Sequence, residues 1–338
     1  MSRITWEVKD CDREYFAEQL EQFVPSRMYD VHAHLWRVTD WQGNPPEPVR
    51  LAPAEITLEV YRQHMEWILP RREVHGMHFA YPATFPNDPA PCNEWVSSQV
   101  KKDPLARGQF YVRPADDPDW VESEVKRLGM RGLKPFPGFL GIPDISNAEI
   151  PEYFPEWMAR LAHKEGWSVT LHIQRKRSIA DESNLHWITT YCSKYPDMIL
   201  ILDHSARGFN PYHCIEGLVR LSKNLPENLY VDTSCNCASL ATMACLKYLG
   251  ADRVMYGSDF YISHLRGTNL PVGDSFLWLE QDMDIYDRVA YKSEPVLLGL
   301  ENLRAVRAAF EILNLSDNDI ENYFWGNAAR ALRIDGCA

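Results

Sequence analysis

Apolar and polar positions along the chain fall into two alternating rhythms. Residues 13–24 set Tyr15, Phe16, Leu20, Phe23 and Val24 on one helical stripe behind Asp12, which predicts an amphipathic helix with Asp12 as its N-cap. From Arg27 onward, short apolar runs of strand length alternate with stretches of helical period. The runs predict strands at Arg27–His34, Gly76–Tyr81, Gly108–Arg113, Gly132–Phe136, Ser168–Ile173, Met198–His204, Leu229–Ser234 and Arg253–Asp259. Helical segments such as Ala159–Glu165 and Asn184–Lys194 lie between them, and every gap is long enough for the crossover that a parallel pair requires. Toward the end, Leu303–Leu313 and Ser316–Leu332 read as helices, with Asn314 and Ser316 supplying the break and a cap. After His34 the chain runs through Trp36, Trp41, Pro45, Pro46 and Pro48 with neither period, which predicts a long loop.

Repeated strand–helix alternation of this kind predicts an α/β chain folded as a single (β/α)8 TIM barrel rather than an open, doubly wound sheet. No Gly-x-Gly-x-x-Gly follows the first strand, which argues against a dinucleotide-binding fold. The expected organisation is an N-terminal helical extension over residues 1–26 and a barrel over residues 27–338, its outer ring closed by C-terminal helices.

Composition narrows the function classes. At 338 residues, 45% hydrophobic and 24% charged, the chain has the balance of a globular protein with a substantial core. A formal charge of −12 argues against nucleic acid and anionic lipid as partners, so an anionic substrate would have to be held by local Arg or Lys. The opening residues carry no basic stretch followed by an apolar one, and no apolar run is long enough to span a bilayer. A cytoplasmic protein is therefore expected. The 8 Cys are irregularly spaced, only Cys235 and Cys237 being close, which predicts reduced thiols.

The chemistry collects at predicted strand ends. In a strand alternate side chains share a face, so His32 and His34 point the same way, roughly 6.6 Å apart, as a chelating pair. His172, His204 and Asp259 each close another predicted strand, and in a barrel of this kind functional groups gather at the carboxyl ends of strands. Imidazoles together with a carboxylate suit Zn²⁺ or a similar divalent ion, with a position left for water. A further ionisable group beside it, His204 or Asp259, can move protons. His64, His75, His78, His163, His186 and His213 read as structural, His75 and His78 at or near the start of strand two, while His264 is a weaker candidate for the pocket.

Asp30-Val31-His32-Ala33-His34, the single His172 on strand five, Asp203-His204 on strand six and Gly257-Ser258-Asp259-Phe260 on strand eight resemble the amidohydrolase superfamily. Within it the chain is most similar to the amidohydrolase-2 family, which includes hydrolases, lactonases and nonoxidative decarboxylases. The likeness covers residues 27–332 and takes in Val112-Arg113-Pro114-Ala115-Asp116 and the terminal Gly326-Asn327-Ala328 helix. It implies one divalent cation, Zn²⁺ or Mn²⁺, held by His32, His34, His172 and Asp259, with His204 and Asp259 as the catalytic acid/base groups. Asp30 matches the leading Asp of the motif and, on the same face as His32, is a candidate support for the ligands. Lys134 matches the strand-four Lys that is carboxylated in binuclear relatives; an ammonium that binds substrate or a buried ion pair is the favoured reading here.

Arg113 and Arg207 are the expected substrate carboxylate binders. Trp36, Tyr81, Phe85, Phe136, Phe139 and Tyr261 supply aromatic loop positions suited to a flat substrate. The expected activity is metal-dependent hydrolysis of a small amide, lactone or ester. The alternative is nonoxidative decarboxylation of an aromatic or unsaturated carboxylate, and a non-catalytic scaffold is third. Barrels of the family are often dimers, which makes a homodimer the expected assembly.

Overall fold

The computed structural model describes residues 6–81, 86–280, 283 and 294–334. Parallel strands β1 Arg27–Arg37, β2 Glu73–Ala80, β3 Arg107–Gly108 and Phe110–Val112, β4 Gly132–Pro135, β5 Ser168–Leu171, β6 Ile199–Leu202, β7 Leu229–Asp232 and β8 Val254–Met255 follow one another around a ring. A helix precedes β1 and one of at least a two-turn length follows each strand: α1 Asp10–Gln19, α2 Leu58–Met65, α3 Ala90–Val100, α4 Pro118–Leu128, α5 Glu156–Glu165, α6 Glu182–Lys194, α7 Pro211–Leu221, α8 Ser239–Tyr248 and α9 Leu298–Ile312. β3 is one strand interrupted at Gln109: its first piece pairs with β2 and its second with β4. The ring closes where Val31 N–H donates to the Tyr256 carbonyl (3.0 Å), Asp259 N–H to that of His32 (2.8 Å) and His34 N–H to that of Phe260 (2.9 Å). This is the expected barrel.

Local sequence explains the elements. α4 starts where the Asp117 carboxylate accepts from Asp119 N–H and Trp120 N–H, carries Pro118 at its first position, buries Val121, Val125 and Leu128, and ends at Gly129 in the left-handed region. Apart from the half-buried Ile199 and Tyr230, the apolar residues of β5, β6 and β7 are buried because helices cover the outside of the ring while the barrel interior is filled. The C-terminal segment is less regular than the continuous helix expected. It runs as Asp317–Glu321, a π-helical turn Asn322–Gly326, and Asn327–Ala331, with Ser316 capping and Asn314 in the left-handed region as the break. The π turn lets Tyr323 offer its carbonyl to Tyr256 N–H (3.1 Å), and Asn327 holds the carbonyls of Ala251 and Val254 at the foot of β8.

Several expectations need correction. The strands of the second half end earlier than their apolar runs, so His172, His204 and Asp259 lie just past β5, β6 and β8 rather than inside them. β1 instead runs on to Arg37, and the loop after it contains the short helix Glu47–Leu51. β2 begins at Glu73, which puts His78 well inside the strand, buried against Tyr61. Asp12 is not the N-cap of α1; Lys9 stands there. Asp12 sits in the first turn, where its carboxylate accepts from Lys9 N–H (2.8 Å) as one half of a capping box and also holds Arg266 in a bidentate pair (2.9 and 2.7 Å), both side chains at most 1% exposed.

A hairpin, β9 Gly267–Val272 and β10 Ser275–Glu280, follows β8 and was not anticipated. Its tip is tied down by Asp274, which pairs with His213 (2.6 Å) and Lys176 (2.9 Å). Gly267 has φ +144°, and a Cβ there would lie 2.0 Å from the Leu279 carbonyl oxygen. Gly267→Ala is therefore expected to cost about 1–3 kcal/mol in urea-induced unfolding, because both the backbone conformation and the β9–β10 contact forbid the added carbon. No described helix is long and apolar enough to cross a membrane, and no disulfide joins the described cysteines.

Candidate metal centre

A bulge builds the centre. The pairing register of β1 against β2 shifts between Asp30 and Ala33. Tyr29 and Val31 therefore pack with Met77, Ile201 and Met255 inside the barrel, and His32 and His34 follow them into the interior cavity above. Strict alternation would have set the two pairs on opposite faces. Asp30 is left behind the strand, separated from His32. Its carboxylate accepts from His32 N–H (3.0 Å), Ser258 N–H (2.9 Å), the Tyr61 hydroxyl (2.8 Å) and the Ser258 hydroxyl, fastening the His-x-His strand to the segment that carries Asp259. Burial pushes the Asp30 carboxyl up to about 6, and these donors work against that rise.

His32, His34 and Asp259 bring one ligand atom each within 4.8 Å of one another. His34 Nδ1 lies 2.8 Å from the Ala80 carbonyl, which only accepts, so Nδ1 carries the proton. Its Nε2 lone pair then faces Asp259 Oδ1 at 3.1 Å, and His32 Nε2 faces the same oxygen at 3.5 Å. Burial holds the His34 ring below the usual imidazole range, partly offset by Asp259, which disfavours a second proton on it. Burial likewise raises Asp259, but His32, His34 and His204 more than offset this and hold the carboxyl below the usual range. Two imidazole lone pairs converging on one carboxylate oxygen call for a cation between them, and nitrogen and oxygen donors of this kind fit Zn²⁺ or Mn²⁺.

His172 and His204 face this trio across a cavity of about 160 Å³, with Tyr81, Phe136 and Ile262 as its apolar wall. His172 lines the cavity but stands outside the 4.8 Å cluster; its Nδ1 is 3.0 Å from the Gln174 amide nitrogen, and its ring centroid is 5.2 Å from that of His204. Burial, reinforced by His204, Arg207 and Lys134, holds the His172 ring well below its usual range. His204 opens a left-handed turn: residues 204 to 207 have φ of 58°, 56°, 56° and 54°, with no glycine among them. Such a turn costs about 1–2 kcal/mol per residue and persists only where its surroundings fix it. Lys134, 2% exposed, pairs with Asp203 at 2.7 Å and lies over the Phe79 ring. A larger cavity, about 480 Å³, opens at the other end of the barrel beside Ile199, Tyr230 and Arg330, where no such set of groups collects among the described residues.

The profile of the family described as "Amidohydrolase" matches residues 29–334. The chain belongs to the amidohydrolase-2 family. Solved structures similar to this amidohydrolase include a putative 2-pyrone-4,6-dicarboxylic acid hydrolase from Pseudomonas putida, 17% identical over 92% of this chain and 99% of that one, TM-score 0.54. A 5-carboxyvanillate decarboxylase from Sphingomonas paucimobilis is 14% identical over 92% and 100%, TM-score 0.56. A dihydroxybenzoic acid decarboxylase from Polaromonas sp., holding manganese and an inhibitor, is 17% identical over 92% and 98%, TM-score 0.53. At these identities the likeness is one of fold. No functionally curated protein matches the chain.

The remaining candidates of this amidohydrolase are dispersed. Arg113 pairs with Asp116 (2.8 Å) and does not line the cavity. Arg207 is partly buried and does not line the cavity either; it donates to the Arg175 carbonyl (3.3 Å) and meets no carboxylate among the described residues. Tyr81 and Phe136 line the cavity, while Trp36, Phe139 and Tyr261 stand behind it and Phe85 lies outside the described residues. His264 is buried behind the site, its Nε2–H donating to the His64 carbonyl (2.8 Å). Sequence reasoning quoted Asp203 only as part of a motif, without a role, and passed over Asp232 and Ser234. Asp232 bonds His32 Nδ1 at 3.0 Å, and Ser234 bonds His204 Nδ1 at 2.9 Å. The available signal was a carboxylate closing the apolar run Leu229-Tyr230-Val231.

Proposed function

We propose that this amidohydrolase is a metal-dependent hydrolase that adds water to the carbonyl carbon of a small amide, lactone or ester. The observation that carries the reading is the convergence of His32 Nε2 and His34 Nε2 on one oxygen of Asp259. These three residues hold the cation, Zn²⁺ or Mn²⁺, and His172 completes the set from the facing wall. When bound, the cation supplies Lewis acidity, which acidifies water and offsets charge developing on the substrate carbonyl oxygen. His204 takes the proton from the attacking water and returns it to the leaving group, and Asp259 assists that transfer. Lys134, with Asp203 as its counter-ion, brings positive charge to the same cavity wall. Tyr81, Phe136 and Ile262 seat the substrate and shed water. A cavity of about 160 Å³ is below the roughly 300–1,000 Å³ of most ligand pockets, which favours a small substrate.

Arg207 favours a second reading. A partly buried guanidinium close enough to His172 to disfavour a proton on its ring, with no carboxylate partner among the described residues, suits a substrate that brings its own carboxylate. In that case His204 protonates the carbon bearing the carboxylate, CO₂ leaves, and the aromatic wall holds an aromatic or unsaturated ring. A panel of lactones, amides, esters and aromatic carboxylates turned over in ¹⁸O-labelled water separates the two. Hydrolysis puts label into an acid product with no CO₂ released; decarboxylation releases CO₂ and leaves the organic product unlabelled. Turnover of none of the panel by the Zn²⁺- or Mn²⁺-supplied protein would count against both.

A further inference from the structure

The carboxyl end of β7 holds no residue with a role in the proposed reaction, yet it contacts both halves of the site. Asp232 is fully buried and accepts from four donors: His32 Nδ1 (3.0 Å) at Oδ2, and His204 N–H (3.1 Å), Ser234 N–H (2.9 Å) and the Ser234 hydroxyl at Oδ1. We propose that Asp232 and Ser234 are positioning residues that fix the proton of His32 and of His204 on Nδ1, so that both rings turn a bare Nε2 toward the cavity. This rests on the metal-site reading above.

The assignment follows from counting donors. A carboxylate only accepts, so the ring nitrogen facing Asp232 must be the N–H of His32. That leaves its Nε2 lone pair for the cation site, where Asp259 lies 3.5 Å away. Ser234 has one hydroxyl proton and gives it to Asp232, which leaves its oxygen an acceptor toward His204 Nδ1 at 2.9 Å. The Ser234 carbonyl, 3.1 Å from the same nitrogen, is a second acceptor. His204 Nδ1 therefore carries the proton, and Nε2 is the basic atom. Asp203 cannot replace Asp232: its Oδ1 is 3.6 Å from His32 Nδ1, beyond hydrogen-bond range, and its Oδ2 is held by Lys134.

The same carboxylate also anchors the first N–H of the left-handed turn, so ring and backbone of His204 are set together. Asn302 steadies the loop by donating to the Thr233 and Asn236 carbonyls (2.7 and 2.8 Å) on either side of Ser234.

Long-range ¹H–¹⁵N spectra of the metal-free, ¹⁵N-histidine-labelled protein read the tautomers directly. Recorded at a pH where both rings are neutral, since burial of His32 is outweighed by Asp203, Asp232 and Asp259, which favour a second proton on it, both His32 and His204 are expected as Nδ1–H; either one found as Nε2–H overturns the proposal. Mn²⁺ titration supplies the second readout. Asp232→Asn is expected to bind Mn²⁺ about 10–100-fold more weakly, while Ser234→Ala stays within about twofold of the unaltered protein. Ser234→Ala should instead move His204 to a mixture of tautomers, and Ser234→Thr, which keeps the hydroxyl, should restore it. An unchanged His204 spectrum in Ser234→Ala, or unchanged Mn²⁺ affinity in Asp232→Asn, contradicts the assigned roles. If Asp232→Asn does not fold, the Ser234 variants and the unaltered protein's spectra decide. Failure of the unaltered protein to bind Mn²⁺ or Zn²⁺ would defeat the metal-enzyme reading, and the tautomers would still be read independently.

Discussion

Asp259→Asn is expected to abolish both cation retention and turnover while leaving a folded barrel. Asp259 is the carboxylate that both Nε2 atoms of the His-x-His pair face, so in the proposed site its charge is what would draw a cation between them. Asparagine keeps the shape and removes that charge. Lewis-acid stabilisation is worth several kcal/mol, and each ~1.4 kcal/mol is tenfold in rate, so turnover should fall on the order of 10³-fold or more. The backbone part of Asp259 is untouched by the change: its N–H still donates to the His32 carbonyl and helps close the barrel. Circular dichroism should therefore match the unaltered protein, and a Mn²⁺ titration should show the loss. Full Mn²⁺ affinity in this variant would place the cation elsewhere.

The largest stability effect is expected far from the chemistry. Arg266 and Asp12 are buried together, and the guanidinium also donates to the Glu7 and Pro295 carbonyls (3.1 and 2.9 Å). Removing one partner leaves the other charge buried without its counter-ion, which costs about 3–5 kcal/mol. Arg266→Met should show that loss in urea-induced unfolding. Adding Asp12→Leu to it should recover part of the loss, because the second change removes the stranded charge. A single-variant loss below about 1 kcal/mol would mean that water reaches the pair, as in exposed ion pairs.

The alternation of strand and helix was legible because eight apolar runs of strand length are separated by helix-length segments, and burial on both faces demands such runs. That His32, His34 and Asp259 lie together was legible as well, since each stands at the carboxyl end of a predicted strand, where a barrel gathers its ionisable groups. Other features carried no local signal. The bulge at residues 30–33 depends on pairing with β2 and with the segment after β8, which no single stretch encodes. The left-handed turn at His204-Ser205-Ala206-Arg207 contains no glycine or asparagine to announce it, and is held by Asp232 from another strand. Asp12 resembled a helix cap in sequence, but its partner Arg266 lies 254 positions away. Asp232 fell inside the predicted strand Leu229–Ser234 with nothing local to mark it; its contacts come from β1 and from the segment after β6.

The central claim, that His32, His34 and Asp259 hold a catalytic cation, is tested most directly by elemental analysis of the purified protein alongside Asp259→Asn. One zinc or manganese per chain in the unaltered protein, and close to none in the variant, is the result predicted. No divalent metal in the unaltered protein, even after Zn²⁺ or Mn²⁺ is supplied, would contradict it.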